Sequence, residues 1–227
     1  MSDYAILVIG AALPSLALIL WFYRLDHKRP ETLGLVGKSV LLGFLATLPA
    51  ILLEMLVDIP AGFLPPLLGI AWTAFVTAAL VEEGIKYFVL KRWLFRHPAF
   101  DEIMDGIVYA VCISLGFAFA ENLMYGLGDG AALILRAFTA VPLHATATGI
   151  MGYWFGMAKR NPSQAAPMMR KGFIAAVLVH GLYDFFLFTG TLLAFGALVV
   201  LAVAFMYLMA LVRHAQAADD LAAGSLP

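Results

Sequence analysis

Charged side chains are scarce in this sequence. Asp, Glu, Lys and Arg together make up 13% of its 227 residues, whereas hydrophobic residues make up 63%. A soluble domain carries roughly 25% charged residues, so this chain has too few polar groups to cover a globule in water. A soluble globular domain is therefore excluded. The net charge is −1 and no basic cluster occurs, so we expect no nucleic-acid partner.

Cysteine occurs only once, as Cys112 within an apolar run. A single cysteine excludes an intramolecular disulfide. Because buried thiols usually behave as small apolar side chains, we predict that role for Cys112.

Apolar residues occur in long runs, each close to the ~20 residues that cross a hydrocarbon core of ~30 Å as a helix. Since no water reaches that depth, each run must satisfy its backbone hydrogen bonds internally. The sequence thus predicts an all-α, polytopic transmembrane bundle. Its seven spans are predicted at residues 4–23, 38–57, 67–90, 105–127, 131–157, 172–189 and 191–212. We predict one transmembrane domain, residues 1–214, and a short, disordered cytoplasmic tail, residues 215–227.

The connections between these spans alternate in charge. Basic residues flank the first, third and fifth connections and begin the tail, whereas the second and fourth connections have none. Of the fourteen Lys and Arg residues, only Lys86 and Arg136 depart from this pattern, and both lie within spans. Basic residues near span ends mark the cytoplasmic side. We therefore predict an external N-terminus and a cytoplasmic C-terminus.

Four neighbouring spans contain polar and ionisable residues that lipid does not solvate. Such groups cost several kcal/mol each inside a membrane and by default indicate function or pairing. The residues, in chain order, are Glu82, Glu83, Lys86, Glu121, Asn122, His144, His180 and Asp184. Their number and their distribution over adjacent spans favour one shared site.

The spacing of these residues has geometric consequences. Glu82 and Lys86 are four residues apart and share a helix face, so the lysine can partly neutralise that carboxylate. Glu83 points about 100° away from Glu82 around the helix axis, which allows the two acids different partners. His180 and Asp184 are also four residues apart, so Asp184 can orient the imidazole or set its tautomer.

The predicted depths of the residues differ. At ~1.5 Å per residue, Glu82 and His180 lie roughly 13 Å from the cytoplasmic ends of their spans. By the same measure His144 and Glu121 lie roughly 20–25 Å deep. Tilt, or a helix break at Pro142, would close part of this gap.

Two of the ionisable residues also have a structural interpretation. Glu121 could be the partner of Arg136, since both lie near the outer ends of adjacent spans. Lys86 could act as a charge-balancing or snorkelling side chain rather than as a catalyst.

The set of side chains suits hydrolysis by an activated water. A carboxylate in a low-dielectric site can act as a general base, and a histidine opposite it can share that role or donate a hydrogen bond to a developing oxyanion. Other protease signatures are missing: no His-Glu-x-x-His helix occurs, no Gly-x-Ser-x-Gly surrounds a serine, and the one cysteine has no motif.

Four motifs occur in order along the chain: Glu82-Glu83-x-x-Lys86, Phe117-x-x-x-Glu121, His144 and His180-x-x-x-Asp184. This ordered set resembles the PrsW family of bacterial intramembrane proteases and, more distantly, the superfamily of CAAX prenyl endopeptidases and bacteriocin-immunity proteins. The resemblance implies a multi-pass protease of the bacterial cytoplasmic (inner) membrane that cleaves membrane-anchored proteins, such as anti-sigma factors. It also implies that Glu82 or Glu83 activates water, assisted by His144 and His180. Glu121 stands where the superfamily has His, and Asp184 where it has Asn.

Together these observations predict a glutamate-dependent intramembrane endopeptidase. We assign catalysis to Glu82, Glu83, His144 and His180, and supporting roles to Glu121, Asp184, Lys86 and Asn122. We expect no metal or other cofactor, with Zn²⁺ as the alternative, because two Glu and two His could ligate zinc. Two other functions stay open: a proton- or cation-coupled transporter, and a catalytically idle membrane chaperone or binding module. The oligomeric state is left open.

Overall fold

The computed structural model describes residues 3–128 and 130–224. In these two ranges the chain forms α-helices joined by short turns and contains no strand. The α-helices are α1 (Asp3–Leu25), α2 (Leu33–Val57), α3 (Pro66–Trp72), α4 (Val81–Val89), α5 (Ile103–Gly128), α6 (Gly130–Phe138), α7 (Ala140–Arg160), α8 (Ala165–Phe188) and α9 (Phe195–Gly224). Among the described residues, seven helical segments are long and apolar enough to cross a membrane. The predicted all-α bundle of seven spans is confirmed, whereas its orientation stays a prediction.

α5 is the central helix of the bundle. It packs against α1, α2, α7 and α9, and residues 103–118 are all buried. Its approach to α7 depends on Gly106 and Gly152, because a Cβ on either residue would overlap the carbonyl oxygen of the other. Small residues allow membrane helices to pack this closely. Cys112 is buried in α5, as predicted.

The third span is not a uniform α-helix. π-Helical segments, Thr73–Leu80 and Leu90–Leu94, lie on either side of α4. Such wide turns are frequent at functional sites in proteins. Here the first of them ends at Leu80, two residues before Glu82, and both glutamates lie in the first turn of α4.

The predicted span 131–157 is divided into two helices. α6 ends at Phe138, and Thr139, with φ −126° and ψ −74°, leaves the helical conformation before α7 begins at Ala140. The break thus lies three residues before Pro142. Proline is tolerated in the first turn of a helix, where its missing N–H has no intrahelical partner, and this explains why α7 restarts just ahead of it.

The last helix is longer than predicted. α9 continues to Gly224, so residues 215–224, predicted as a disordered tail, are helical in the structure. Residues 225–227 lie outside the described part of the chain. Alanine-rich segments have high helix propensity, and the tertiary contacts of Asp219 stabilise this part of α9 further.

Asp219 connects α9 to the start of α5. Its carboxylate accepts hydrogen bonds from the backbone N–H groups of Ile103 and Met104, each at 3.0 Å. The same carboxylate pairs with Arg160 at 2.7 Å, and the residue is 1% exposed. Free N–H groups in the first turn of a helix require such an acceptor.

We expect Asp219→Ala to lower the free energy of unfolding by about 2 kcal/mol, because it removes a helix cap and the carboxylate partner of Arg160. Thermal unfolding of the purified protein in detergent micelles measures this loss. Asp220→Ala, one residue further along α9, removes an exposed carboxylate and is the matched control with little expected effect. Equal losses of stability in the two variants would contradict the role assigned to Asp219.

Candidate active site

The polar residues predicted on four separate spans converge in the structure. Glu82, Glu83 and Lys86 lie on α4, Glu121 and Asn122 on α5, His144 on α7, and His180 and Asp184 on α8. Except for partly exposed Glu121, all are buried. We call these eight residues the polar cluster.

Lys86 connects the two glutamates of α4. Its ammonium group donates to Glu82 Oε2 at 3.0 Å and to Glu83 Oε1 at 2.9 Å. The predicted pairing of Glu82 with Lys86 is therefore present, but Glu83 shares the same lysine. The ammonium also lies 3.0 Å from His144 Nδ1.

Glu83 is enclosed by hydrogen-bonding partners. Its Oε1 lies 3.0 Å from His180 Nδ1, and its Oε2 accepts a hydrogen bond from Thr148 Oγ1 at 2.8 Å. Ser114 supports Thr148: the two hydroxyl oxygens are 2.8 Å apart. Sequence reasoning missed Thr148 and Ser114, because hydroxyl residues are common in membrane helices and their spacing does not relate them to Glu83.

Each imidazole of the cluster has an acidic partner on its far side. His180 Nε2 lies 3.2 Å from Asp184 Oδ2, as the spacing of four residues predicts. His144 Nε2 lies 2.7 Å from Glu121 Oε2. An Nε2–H bonded to a carboxylate leaves the Nδ1 atom of each ring turned toward the glutamates of α4, and such partners orient a histidine ligand of a metal.

Glu121 contacts a residue of the polar cluster and also the structural partner that the sequence suggested. Besides His144, it contacts the guanidinium of Arg136 at 3.2 Å. Arg136 also donates through Nε to Asn122 Oδ1 at 2.7 Å. The large difference in depth predicted for His144 is not seen, since its Nδ1 lies 3.7 Å from Glu82 Oε2.

A cavity of about 200 Å³ opens onto the polar cluster. Glu82, His144 and His180 line it, whereas Glu83 and Lys86 do not. Glu121 and Asp184 of the polar cluster also line it, as do Arg136 and Glu54 of α2. Sequence reasoning assigned no role in the site to Glu54, because it is a lone acid with no spaced partner on its own helix.

The donor set fits a divalent metal ion. Glu82, Glu83, His144 and His180 each offer one ligand atom, and these atoms lie within 4.8 Å of one another. Carboxylate oxygen and imidazole nitrogen are zinc ligands. If Nε2–H of His180 donates to Asp184, its Nδ1 and Glu83 Oε1 face each other as two acceptors, which requires a proton or a metal cation between them.

The balance of charge supports this fit. The cluster and Arg136 contain four carboxylates, those of Glu82, Glu83, Glu121 and Asp184, but two basic side chains, those of Lys86 and Arg136. With both imidazoles neutral, two negative charges are left over. A divalent cation would neutralise them, and buried charges without a partner are costly.

The chain is similar to known proteins over most of its length. Residues 31–212 match the family described as PrsW family intramembrane metalloprotease. Protease PrsW of Geobacillus kaustophilus is 35% identical over 182 residues, which is 80% of this chain and 79% of that protein. Protease PrsW of Oceanobacillus iheyensis is 36% identical over 184 residues, and Protease PrsW of Bacillus subtilis is 32% identical over 188 residues; each match covers 81% of this chain and 83% of the relative. No solved structure matches the chain significantly.

The matched segment contains the whole polar cluster and all the helices that carry it. The family match covers most of the chain, and several relatives exceed 30% identity over about four fifths of both partners. The chain therefore belongs to the PrsW family of intramembrane proteases.

Proposed function

We propose that this protein hydrolyses peptide bonds of membrane-anchored proteins in a bacterial cytoplasmic membrane, with substrates of the anti-sigma-factor class. The observation that carries the proposal is the polar cluster at the wall of a cavity within the spans. Such a group of buried acids and imidazoles is costly in lipid and by default indicates function. The relatives named Protease PrsW support the assignment to proteolysis.

Glu82 is the general base in this proposal. It lines the cavity, where a substrate carbonyl and a water can meet, whereas Glu83 is 0% exposed and already bonded to Thr148, Lys86 and His180. A base must be able to reach the proton that it removes. Lys86 keeps the carboxylate of Glu82 paired, so that a negative charge is tolerated away from water.

Glu83, His144 and His180 are the proposed ligands of Zn²⁺. A bound zinc ion lowers the pKa of water and polarises a carbonyl group. Glu121 and Asp184 hold the two imidazoles through their Nε2 atoms. The Nδ1 atom of His180 therefore faces Glu83, and that of His144 faces Lys86 and Glu82. This donor set favours bound Zn²⁺, whereas the sequence led us to expect no cofactor.

Arg136 has a positioning role. It holds Glu121 against His144 and is itself held by Asn122. Since Arg136 also lines the cavity, its guanidinium is a hydrogen-bond donor for the substrate backbone, whose carbonyl groups must leave the helical pattern before hydrolysis.

The experiment is reconstitution of the purified protein in liposomes with a single-span substrate that carries a reporter at each end. We expect cleavage within or beside the substrate span, located by mass spectrometry. The matched control is the double variant His144→Ala with His180→Ala, checked for an unchanged oligomeric state in detergent. Ion flux without cleavage would instead indicate a transporter, and a stable complex with an intact substrate would indicate a binding module. Either result would overturn the proposal.

A further inference from the structure

A second group of buried acids lies at the other end of the bundle from the cavity wall described above, where α1, α2 and α5 meet. Asp26 follows α1, Glu31 precedes α2 and Asp105 lies in the first turn of α5. Their exposed fractions are 6%, 7% and 2%. One oxygen atom of each carboxylate lies within 4.8 Å of the others.

Ordinary hydrogen bonds explain part of this triad. Asp105 Oδ2 accepts from the backbone N–H groups of Asp101 and Glu102 at 2.8 and 2.7 Å, as a carboxylate near a helix start commonly does. Glu31 Oε2 accepts the hydroxyl hydrogen of Tyr109. These bonds account for one oxygen atom of Asp105 and one of Glu31.

Hydrogen bonds do not explain the burial of the third carboxylate, that of Asp26. Its Oδ2 atom is buried and has no hydrogen-bond partner in the described ranges 3–128 and 130–224. Burial and the charges of Asp105 and Glu102 raise its pKa to about 8, although Arg29 opposes this shift. A buried polar atom without a partner is costly and requires a ligand or a proton.

The basic residues nearby are already paired. Arg29 contacts Glu102 and Asp220, Lys28 pairs with Asp220 at 2.6 Å, and Arg160 pairs with Asp219 at 2.7 Å. In contrast, the structure records no ion pair between the triad and a basic residue of the described chain.

We propose that Asp26, Glu31 and Asp105 bind a hard divalent cation, Mg²⁺ or Ca²⁺, that ties the connection between α1 and α2 to the start of α5. All-oxygen sets of carboxylates are the ligands that these cations prefer, with water completing the coordination. The site contains no imidazole, which distinguishes it from the zinc-type donor set of the polar cluster. An adjoining cavity of about 240 Å³ leaves room for such waters; Asp26 and Asp219 line it together with His27, Lys28 and Arg29.

The test is thermal unfolding of the purified full chain in detergent, first stripped with a chelator and then titrated with MgCl₂ or CaCl₂. We expect saturating cation to raise Tm by about 5 °C. Asp26→Asn should reduce that rise to below about 1 °C, while its own Tm in the chelator exceeds that of the parent, because it removes a repelled carboxylate. The difference between the Mg²⁺ and Ca²⁺ titrations identifies the cation.

Two controls make the result specific. Glu102→Gln removes a nearby carboxylate that is not part of the triad and should keep the full rise in Tm. Asp26→Asn should keep proteolytic activity, so a failure of this proposal does not affect the proposed function. An equal rise in the parent and in Asp26→Asn, or no rise with either cation, would overturn the site and leave a shared proton as the explanation for the triad.

Discussion

Glu82→Gln should lower kcat for a membrane-anchored substrate about 10³-fold, the usual contribution of a general base. The amide cannot accept the proton of the attacking water, but it has the size and hydrogen-bonding capacity to keep its contact with Lys86. We therefore expect KM and Tm to change little. Cleavage kinetics in liposomes and thermal unfolding in detergent provide the three measurements.

The variant Glu83→Gln distinguishes the role of Glu83 from that of Glu82. Because we assign Glu83 to metal binding and to the contacts with Thr148 and His180, this variant should lose bound zinc together with activity. Glu82→Gln should lose activity and keep the zinc. Glu102→Gln, outside the polar cluster, is the control that should retain normal kcat. If kcat of Glu82→Gln fell by less than about 10-fold, Glu82 would not be the general base.

Removal of metal should abolish proteolysis. We expect about one zinc ion per chain in the purified protein, as for a site with three protein ligands, and loss of both zinc and cleavage after dialysis against a chelator. Added Zn²⁺ should restore activity. Elemental analysis and the liposome assay, carried out on the same samples, measure metal content and activity together.

The double variant His144→Ala with His180→Ala is the control for this experiment. It lacks both imidazole ligands, so it should purify without zinc and gain nothing from added Zn²⁺. Full activity of the parent protein at undetectable zinc would contradict the metal proposal. Hydrolysis would then depend on a glutamate-activated water with the two histidines assisting, the mechanism first expected from the sequence.

Much of the fold follows from the sequence alone. Runs of about 20 apolar residues must cross the bilayer as helices, because lipid offers no hydrogen-bond partners to the backbone. This constraint is local, so seven spans could be predicted without knowledge of their packing. Acids and imidazoles within those spans are equally visible, and the eight residues of the polar cluster could be selected in advance.

The helix ends were less predictable. Hydropathy indicates where a helix leaves the apolar layer, not where its hydrogen bonds stop. α9 therefore runs past the predicted boundary at residue 214, stabilised by the long-range contacts of Asp219 with α5 and Arg160. Likewise, the sequence offered a helix break at Pro142 only as an alternative to tilt, whereas the structure has the break at Thr139.

Only the tertiary structure decided how the polar residues meet. Sequence spacing relates residues on one helix, such as His180 and Asp184, but not residues on different helices. The close packing of α5 and α7 at Gly106 and Gly152 determines which faces oppose each other. The contact of Glu121 with His144 follows from it, whereas the different surroundings of the two glutamates follow from the packing of α4 against α7 and α8. The composition and the apolar runs of the sequence determine that this is a membrane protein with acids and imidazoles inside its spans. Packing determines that these side chains form one site, because contacts between helices decide which faces of neighbouring helices oppose each other.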